Sequence, residues 1–356
     1  KASFKAEKAN GTVDVAFVFD GSTLAGKTVV MYENIYYNNK LVGVHADISD
    51  EAQIIYVPSV KTAATDTKTE TKLTYAEKDI KITDTVEYTN LIPGKTYKVT
   101  GTAMDKKTGK VIKDADGKAV TSEAEITPET ADGKVDVDFI FDGSNLAGKT
   151  IVMFEEIRYE NKLIGVHADI NDEAQTVHIP LIFTSVKDKD TDSHMSLAGS
   201  DVTLTDTVAY RNLVPGKTYT VSGTLMDQRT GKAVTVNGKA VTSSADFTPD
   251  TADGETKVDF HFNTKGLDDT TVVVFEKIFY GKAEIAAHEN INDKGQTIYI
   301  PSVKTTAIDK KTATKLTLAE KDIHIVDKVA YRNLVPGEKY TVTGTAIDKT
   351  TGKPLK

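Results

Sequence analysis

Residues 80–97 read IKITDTVEYTNLIPGKTY, and this stretch carries the decisive fold signals. Ile80, Ile82, Val86 and Tyr88 alternate with Lys81, Thr83, Thr85 and Glu87. That period of two belongs to a strand with one buried face. Pro93-Gly94 then suits the centre of a type II turn, because glycine supplies the positive φ of its second position. One residue breaks the alternation. Asp84 falls on the apolar face, where a lone ionised carboxylate would cost several kcal/mol.

The same phrases recur along the chain. YTNLIPGKTY at 88–97 returns as YRNLVPGKTY at 210–219 and YRNLVPGEKY at 331–340. A second phrase, HADISDEAQ from His45, returns as HADINDEAQ from His167 and HENINDKGQ from His288. The interval of about 120 residues is too long for a solenoid unit and right for a whole small domain. The chain opens inside one repeat and closes inside another, which divides it into 1–57, 58–180, 181–301 and 302–356. Pro58, Pro180 and Pro301 punctuate the junctions. Val135, Val137, Phe139 and Phe141 give another period-two strand, and Asp116-Gly117 and Asn237-Gly238 read as hairpin turns. Helical periodicity is weak throughout. The fold class expected is all-β: tandem Ig-like β-sandwiches, two complete and two complementary half-domains at the ends.

Composition narrows the function classes. Charged residues at 27% and hydrophobic ones at 39% describe folded protein rather than a disordered chain. The net charge of −8 is spread as interleaved signs, with no basic stripe for nucleic acid. The chain has no cysteine, so disulfides and thiolate metal or redox sites are excluded. Trp is absent too, which argues against aromatic sugar platforms, although Tyr could serve. No apolar run approaches the ~20 residues of a membrane span, so no membrane insertion is expected. No signal peptide stands at the start; a secreted parent would have lost it, or the fragment begins downstream of it.

Polar groups recur on apolar faces. Asp84 has counterparts in Asp206, between Leu204 and Val208, and Asp327, between Ile325 and Val329. Glu155 shares a face with Ile151, Met153 and Ile157; Glu276 and Glu33 sit alike. Thr62, Thr184 and Thr305 occupy the inward face of each first strand. Gln53, Gln175 and Gln296 begin each last strand on its apolar face. His45, His167 and His288 lie twelve residues after each Glu and eight before each Gln. Each complete repeat thus carries a nucleophile, a candidate base, two acids able to share a proton and an electrophilic carboxamide. Taken singly, a strand Thr, a turn His or a Gln at a strand start is ordinary; the joint recurrence at fixed offsets is not. Asp47 and Asp50, with their counterparts, lack the glycine and closing Glu of an EF-hand loop, so turn hydrogen bonding rather than a metal is expected there, and no cofactor is implied.

These residues resemble the ester-bond-forming, VaFE-type Ig-like repeats of Gram-positive surface adhesins, which are collagen-adhesin B-type domains. The resemblance rests on Val152-Met153-Phe154-Glu155, Val273-Val274-Phe275-Glu276 and the run from His167 to Thr176, and it covers essentially the whole chain. The copy from His288 departs at Glu289 and Asn290, and the first copy at Tyr32 and Ile54. The resemblance implies that Thr62 attacks the side-chain amide of Gln175, and Thr184 that of Gln296, releasing ammonia. It implies His167 and His288 as bases, and Asp84 with Glu155 and Asp206 with Glu276 as proton-sharing pairs facing the developing oxyanion. Such a reaction is single-turnover, so the chain is not expected to be an enzyme. It implies an extracellular stalk segment of a wall-anchored surface adhesin, the anchor lying outside this fragment and the host surface ligand unnamed.

Three other classes compete. A ligand-binding adhesin module without a cross-link would use end loops, none of which is marked here. A hydrolase would need a cleft and a Gly-rich oxyanion loop. A Lys–Asn isopeptide would need Lys and Asn at the inward positions. The half-domains raise a further expectation. Thr305 and Asp327 of the tail complement Glu33, His45 and Gln53 of the head. The partner expected is therefore the chain itself, joined head to tail or cyclised through a Thr305–Gln53 ester.

Overall fold

The structure, a computed structural model, describes residues 1–355. The chain forms two compact units, Lys1–Leu181 with Asn212–Val214, and Ile182–Arg211 with Pro215–Lys356.

In the first unit, residues 58–180 make a two-sheet sandwich. One sheet orders Ser59–Asp66, Ile80–Thr89 and Gly133–Phe141. The other is built on Thr150–Tyr159, which is flanked by Tyr97–Asp105 and Lys162–His167 and also pairs with the short last strand Thr176–His178. Thr121–Ile126 adds the outer strand beside Tyr97–Asp105. Every pairing in both sheets is antiparallel. The alternation in 80–89 is realised residue by residue: Ile80, Ile82, Asp84, Val86 and Tyr88 are all buried. Their core partners include Val137 and Phe139 from the neighbouring strand and Ile151, Met153 and Ile157 from the facing sheet.

The second unit repeats this plan. Leu181–Asp188, Asp201–Arg211 and Gly254–Asn263 form the smaller sheet. Thr270–Tyr280 anchors the larger one between Tyr219–Asp227 and Ala283–His288, with Thr297–Ile300 as the last strand. Asn237 and Gly238 both take positive φ, the signature of a type I′ hairpin turn between Thr235–Val236 and Lys239–Ala240. The Pro-Gly turns hold Gly94, Gly216 and Gly337 at φ of 73°, 74° and 90°, as type II geometry requires.

The end segments each hold part of a sandwich. In the first unit, Thr28–Val30 pairs with Ile54–Tyr56, and Glu33–Tyr37 with Lys40–His45. In the second, Ser302–Asp309 pairs with Ile325–Arg332. Ile35 is 51% exposed where its counterpart Ile157 is fully buried, which is what one sheet without its facing sheet must show.

One glycine in each complete domain is dictated by an aromatic ring next to the acid pair. Gly101 lies opposite Glu155 in the larger sheet, and the Phe139 ring crosses its face so closely that a Cβ would collide with it. Gly223 and Phe260 repeat the contact opposite Glu276. A methyl group there must displace an aromatic ring fixed in a dense core. Gly101→Ala and Gly223→Ala should each destabilise their domain by ~1–3 kcal/mol, read as a lower urea midpoint with unchanged slope.

Candidate functional site

The site lies between the two sheets. From the smaller sheet, the first strand contributes Thr62 and the central strand Asp84; both residues point inward beside Val86 and Ala64, and Asp84 stands in register with Ala64 and Val137. From the larger sheet, Gly101, Glu155 and His167 stand directly opposite one another across three strands and therefore share a face. Gln175 arrives from the chain end. It closes a short 3-10 turn, Glu173–Gln175, whose N-cap is Asp172. The expectation that Gln175 begins the last strand is thus corrected: the strand starts at Thr176, and the turn aims the amide inward.

Thr62, Asp84, Glu155 and Gln175 meet, whereas the His167 ring makes no hydrogen bond to any of them. The Gln175 amide nitrogen donates to Glu155 Oε2 at 2.6 Å and closely contacts Thr62 Oγ1. The Thr62 hydroxyl donates to the same Glu155 oxygen at 3.1 Å. Asp84, Glu155 and Gln175 are fully buried. The second unit repeats the arrangement with Gln296, Glu276 and Thr184: the Gln296 amide lies 2.5 Å from Glu276 Oε2 and in close contact with Thr184 Oγ1.

The carboxyl pair has unusual electrostatics. No donor reaches either Asp84 oxygen or either Asp206 oxygen in good hydrogen-bond geometry, although the Ala63 backbone N–H lies near Asp84 and those of Ser185 and Thr207 near Asp206. Each Asp faces the partner Glu carboxyl, a contact that becomes a hydrogen bond only when one of the two holds a proton. Burial pushes the Glu155 carboxyl up to about 11, helped by the neighbouring Asp84, and burial raises Asp84 as well. Glu276 is driven well above the usual carboxylate range by burial and by Asp206. Two carboxyls in one apolar slot cannot both ionise, so each pair keeps a proton at neutral pH.

The histidines have a partner that the spacing did not reveal. His167 Nε2 lies 2.9 Å from Asp172 Oδ2, and His288 Nε2 lies 2.7 Å from Asp293 Oδ2. The carboxylate of Asp172 therefore caps the 3-10 turn with one oxygen, through Ala174 N–H, and orients the imidazole with the other. Turn hydrogen bonding at this Asp was legible in the sequence; the second contact was not. With Nε2 facing the carboxylate, Nδ1 is the basic nitrogen, and in His167 it is buried without a partner.

The end segments carry parts of the same arrangement. In the first unit, the Gln53 amide donates to Glu33 Oε2 at 2.7 Å and His45 Nε2 lies 2.8 Å from Asp50 Oδ2. In the second unit, Thr305 pairs with Val329 and Asp327 with Ala307 across one strand pair, and both side chains are exposed.

The raised acids make stability depend on pH with a defined sign. A carboxyl that keeps its proton in the folded chain, but loses it when unfolded, favours folding most at low pH. That contribution is lost as pH climbs from the ordinary carboxylate value toward about 11 for Glu155, by at most ~1.4 kcal/mol per pH unit for each proton involved. With Thr62→Ala removing the hydroxyl, the urea midpoint of the first domain should fall between neutral and alkaline pH, and Glu155→Gln should flatten that slope.

No curated protein matches the chain. Among solved structures, a bacterial adhesin from Mobiluncus mulieris containing intramolecular disulfide, isopeptide and ester bond cross-links is 15% identical, covering 78% of this chain and 93% of its own, with a TM-score of 0.28. A second crystal form of that adhesin is 13% identical over 77% and 97%, with a TM-score of 0.29. A putative beta-galactosidase from Bacteroides fragilis is 13% identical over 74% and 36%, with a TM-score of 0.26. The family model described as T-Q ester bond containing domain matches residues 1–57, 58–179, 180–300 and 301–356. The chain belongs to the family of T-Q ester bond containing domains.

Proposed function

We propose that this chain is a shaft segment of an extracellular, wall-anchored adhesin, and that each complete repeat welds its first strand to its last through an ester, Thr62–Gln175 and Thr184–Gln296. The observation that carries the proposal is the convergence of a Thr hydroxyl and a Gln amide on one buried carboxyl oxygen.

The step balances without a co-reactant. Thr62 Oγ1 attacks Cδ of Gln175; the C–N bond breaks, the C–O bond forms, and the hydroxyl proton leaves on ammonia. His167 accepts the hydroxyl proton as base and passes it to the leaving amine, which departs as ammonia, so the imidazole and the carboxyl pair end in the protonation states they began with. A half-turn of the Gln175 amide exchanges its oxygen and nitrogen and sets the carbonyl against Glu155. A protonated Glu155 then donates to the developing oxyanion, which the raised pKa makes available at neutral pH. The product stays in the chain, so turnover is single.

The joints between repeats support the shaft role. In the first unit, Asn90, at φ 62°, donates its amide to Lys27 O at 2.8 Å and to Val57 O at 3.3 Å, and accepts from Thr28 at 3.0 Å. In the second unit, Asn333, at φ 58°, does the same with Thr270 O, Ile300 O and Thr271. One asparagine in a left-handed turn thus ties a repeat to the strand ends of the one before it.

A second reading concerns the ends. The Gln53–Glu33 contact reproduces the Gln175–Glu155 one without a local Thr, and Thr305 offers a hydroxyl without a local Gln. A Thr305–Gln53 ester between molecules, or within one circular chain, would complete both sets.

Intact mass should be lighter than the sequence mass by one ammonia for each weld. Thr62→Ala and Thr184→Ala should each restore one, and hydroxylamine should open the bonds. A wild-type mass equal to the sequence mass would sink the proposal. For the ends, denaturing gels should show covalent multimers, or a circular monomer one further ammonia lighter, and Thr305→Ala should remove either.

A further inference from the structure

Between the first strand and Ile80, residues 67–75 fold back over the welding site. Asp66 organises this loop: its carboxylate accepts from Lys68 N at 3.0 Å, Thr69 N at 2.7 Å and Thr74 Oγ1 at 2.6 Å. The far side of the loop runs parallel to the last strand, with His178 N donating to Lys72 O at 2.7 Å and Thr74 N donating to His178 O at 3.0 Å. This backbone arrangement recurs in the second unit around Asp188, His194 and Tyr299.

The side chain at the centre of the loop differs between the domains. In the first, the Lys72 ammonium donates to Ala64 O and to Ala174 O. Ala64 stands two residues after the nucleophile Thr62, and Ala174 immediately before the electrophile Gln175. The same ammonium faces the carboxylates of Asp84, Asp172 and Glu173, all of which attract it. In the second domain the position is His194, whose Nδ1 contacts Thr297 O at 3.0 Å, on the glutamine side of the joint.

We propose that Lys72 is a positioning residue for the first weld: it clamps the two backbone segments that must be joined, so that hydroxyl and amide are held together before the bond exists. The clamp is needed because Thr62, in a strand of the smaller sheet, and Gln175, in the turn before the last strand, lie 113 residues apart, and a misplacement of about 1 Å can cost about a hundredfold in rate. It also sets a positive charge beside Asp84, a counterion for the single negative charge of a carboxyl pair that shares one proton. His194 performs the same task from one side, so the second weld should close more slowly than the first.

This inference rests on the ester reading, and the test separates the two. The full chain is made in a synthesis pulse and sampled over time, and peptide mass spectrometry follows the loss of ammonia at each weld, the second serving as the control for the first. Lys72→Met should slow the first weld about tenfold, the size expected for one charge-assisted hydrogen bond, and leave the second unchanged. Lys72→Arg should restore most of the rate. Lys72→His, which installs the residue that the second domain already accommodates, should bring the first weld to the pace of the second, and His194→Lys should accelerate the second. A first weld that closes in Lys72→Met and Lys72→His as fast as in the parent overturns the clamp. A parent chain that never loses ammonia overturns the ester itself. If Lys72→Met does not fold, the Lys72→His and His194→Lys variants decide, because a purely structural lysine predicts no gain of rate at position 194.

Discussion

Two carboxyls enclosed in an apolar slot with no ordinary donor between them must share a proton, and the rest of each domain is arranged around that requirement. Asp84 and Glu155 come from different sheets, so their contact exists only when the sandwich is closed. Closure also brings Thr62 and Gln175 to the same oxygen. A buried acid pair is a poor source of stability by itself, since desolvation offsets most of what its hydrogen bond contributes. Under the proposed ester reading its presence in two domains has a use: a carboxyl that is still an acid at neutral pH is held against the amide to be activated.

The sequence made the acids legible because a strand has only two faces. Once Ile80, Ile82, Val86 and Tyr88 are assigned inward, Asp84 has nowhere else to go, and Glu155 follows in the same way from Ile151, Met153 and Ile157. Strand identity, the Pro-Gly turns and the inward Thr62 follow from the same period-two reasoning. Residues whose roles depend on contacts between distant segments were not legible. Gln175 looks like a strand residue because Val177 and Ile179 continue its alternation, yet Asp172 pulls the preceding residues into a 3-10 turn. Asp172 itself reads as a turn former, and only the fold reveals the imidazole on its second oxygen. Gly101 is a weak strand residue in isolation; the ring of Phe139 that requires it is 38 positions away. Lys72 looks like a solvated charge in a polar loop until the loop is laid along the last strand.

The position of the weld matters more than its strength. Closing a loop of 113 residues removes conformational freedom from the unfolded chain, worth ~5 kcal/mol by analogy with a disulfide of that length. That is comparable with the whole stability of a small domain, but it does not distinguish this cross-link from any other long one. The geometry does. Thr62 lies in the first strand and Gln175 just before the last, so the proposed ester would join the entry and exit of the domain. With the proposed ester in place, a force applied along the chain would pass from Thr62 to Gln175 through covalent bonds, and the residues between them would carry none of it. The hydrogen bonds of both sheets would thereby be shielded from load, whereas an unwelded sandwich would peel at its terminal strands. For the proposed shaft to profit, the joints must hold as well, and Asn90 and Asn333 bond carbonyls at strand ends of the preceding repeat. Load would thus enter each domain a few residues from the weld, leaving little chain outside the covalent path to stretch.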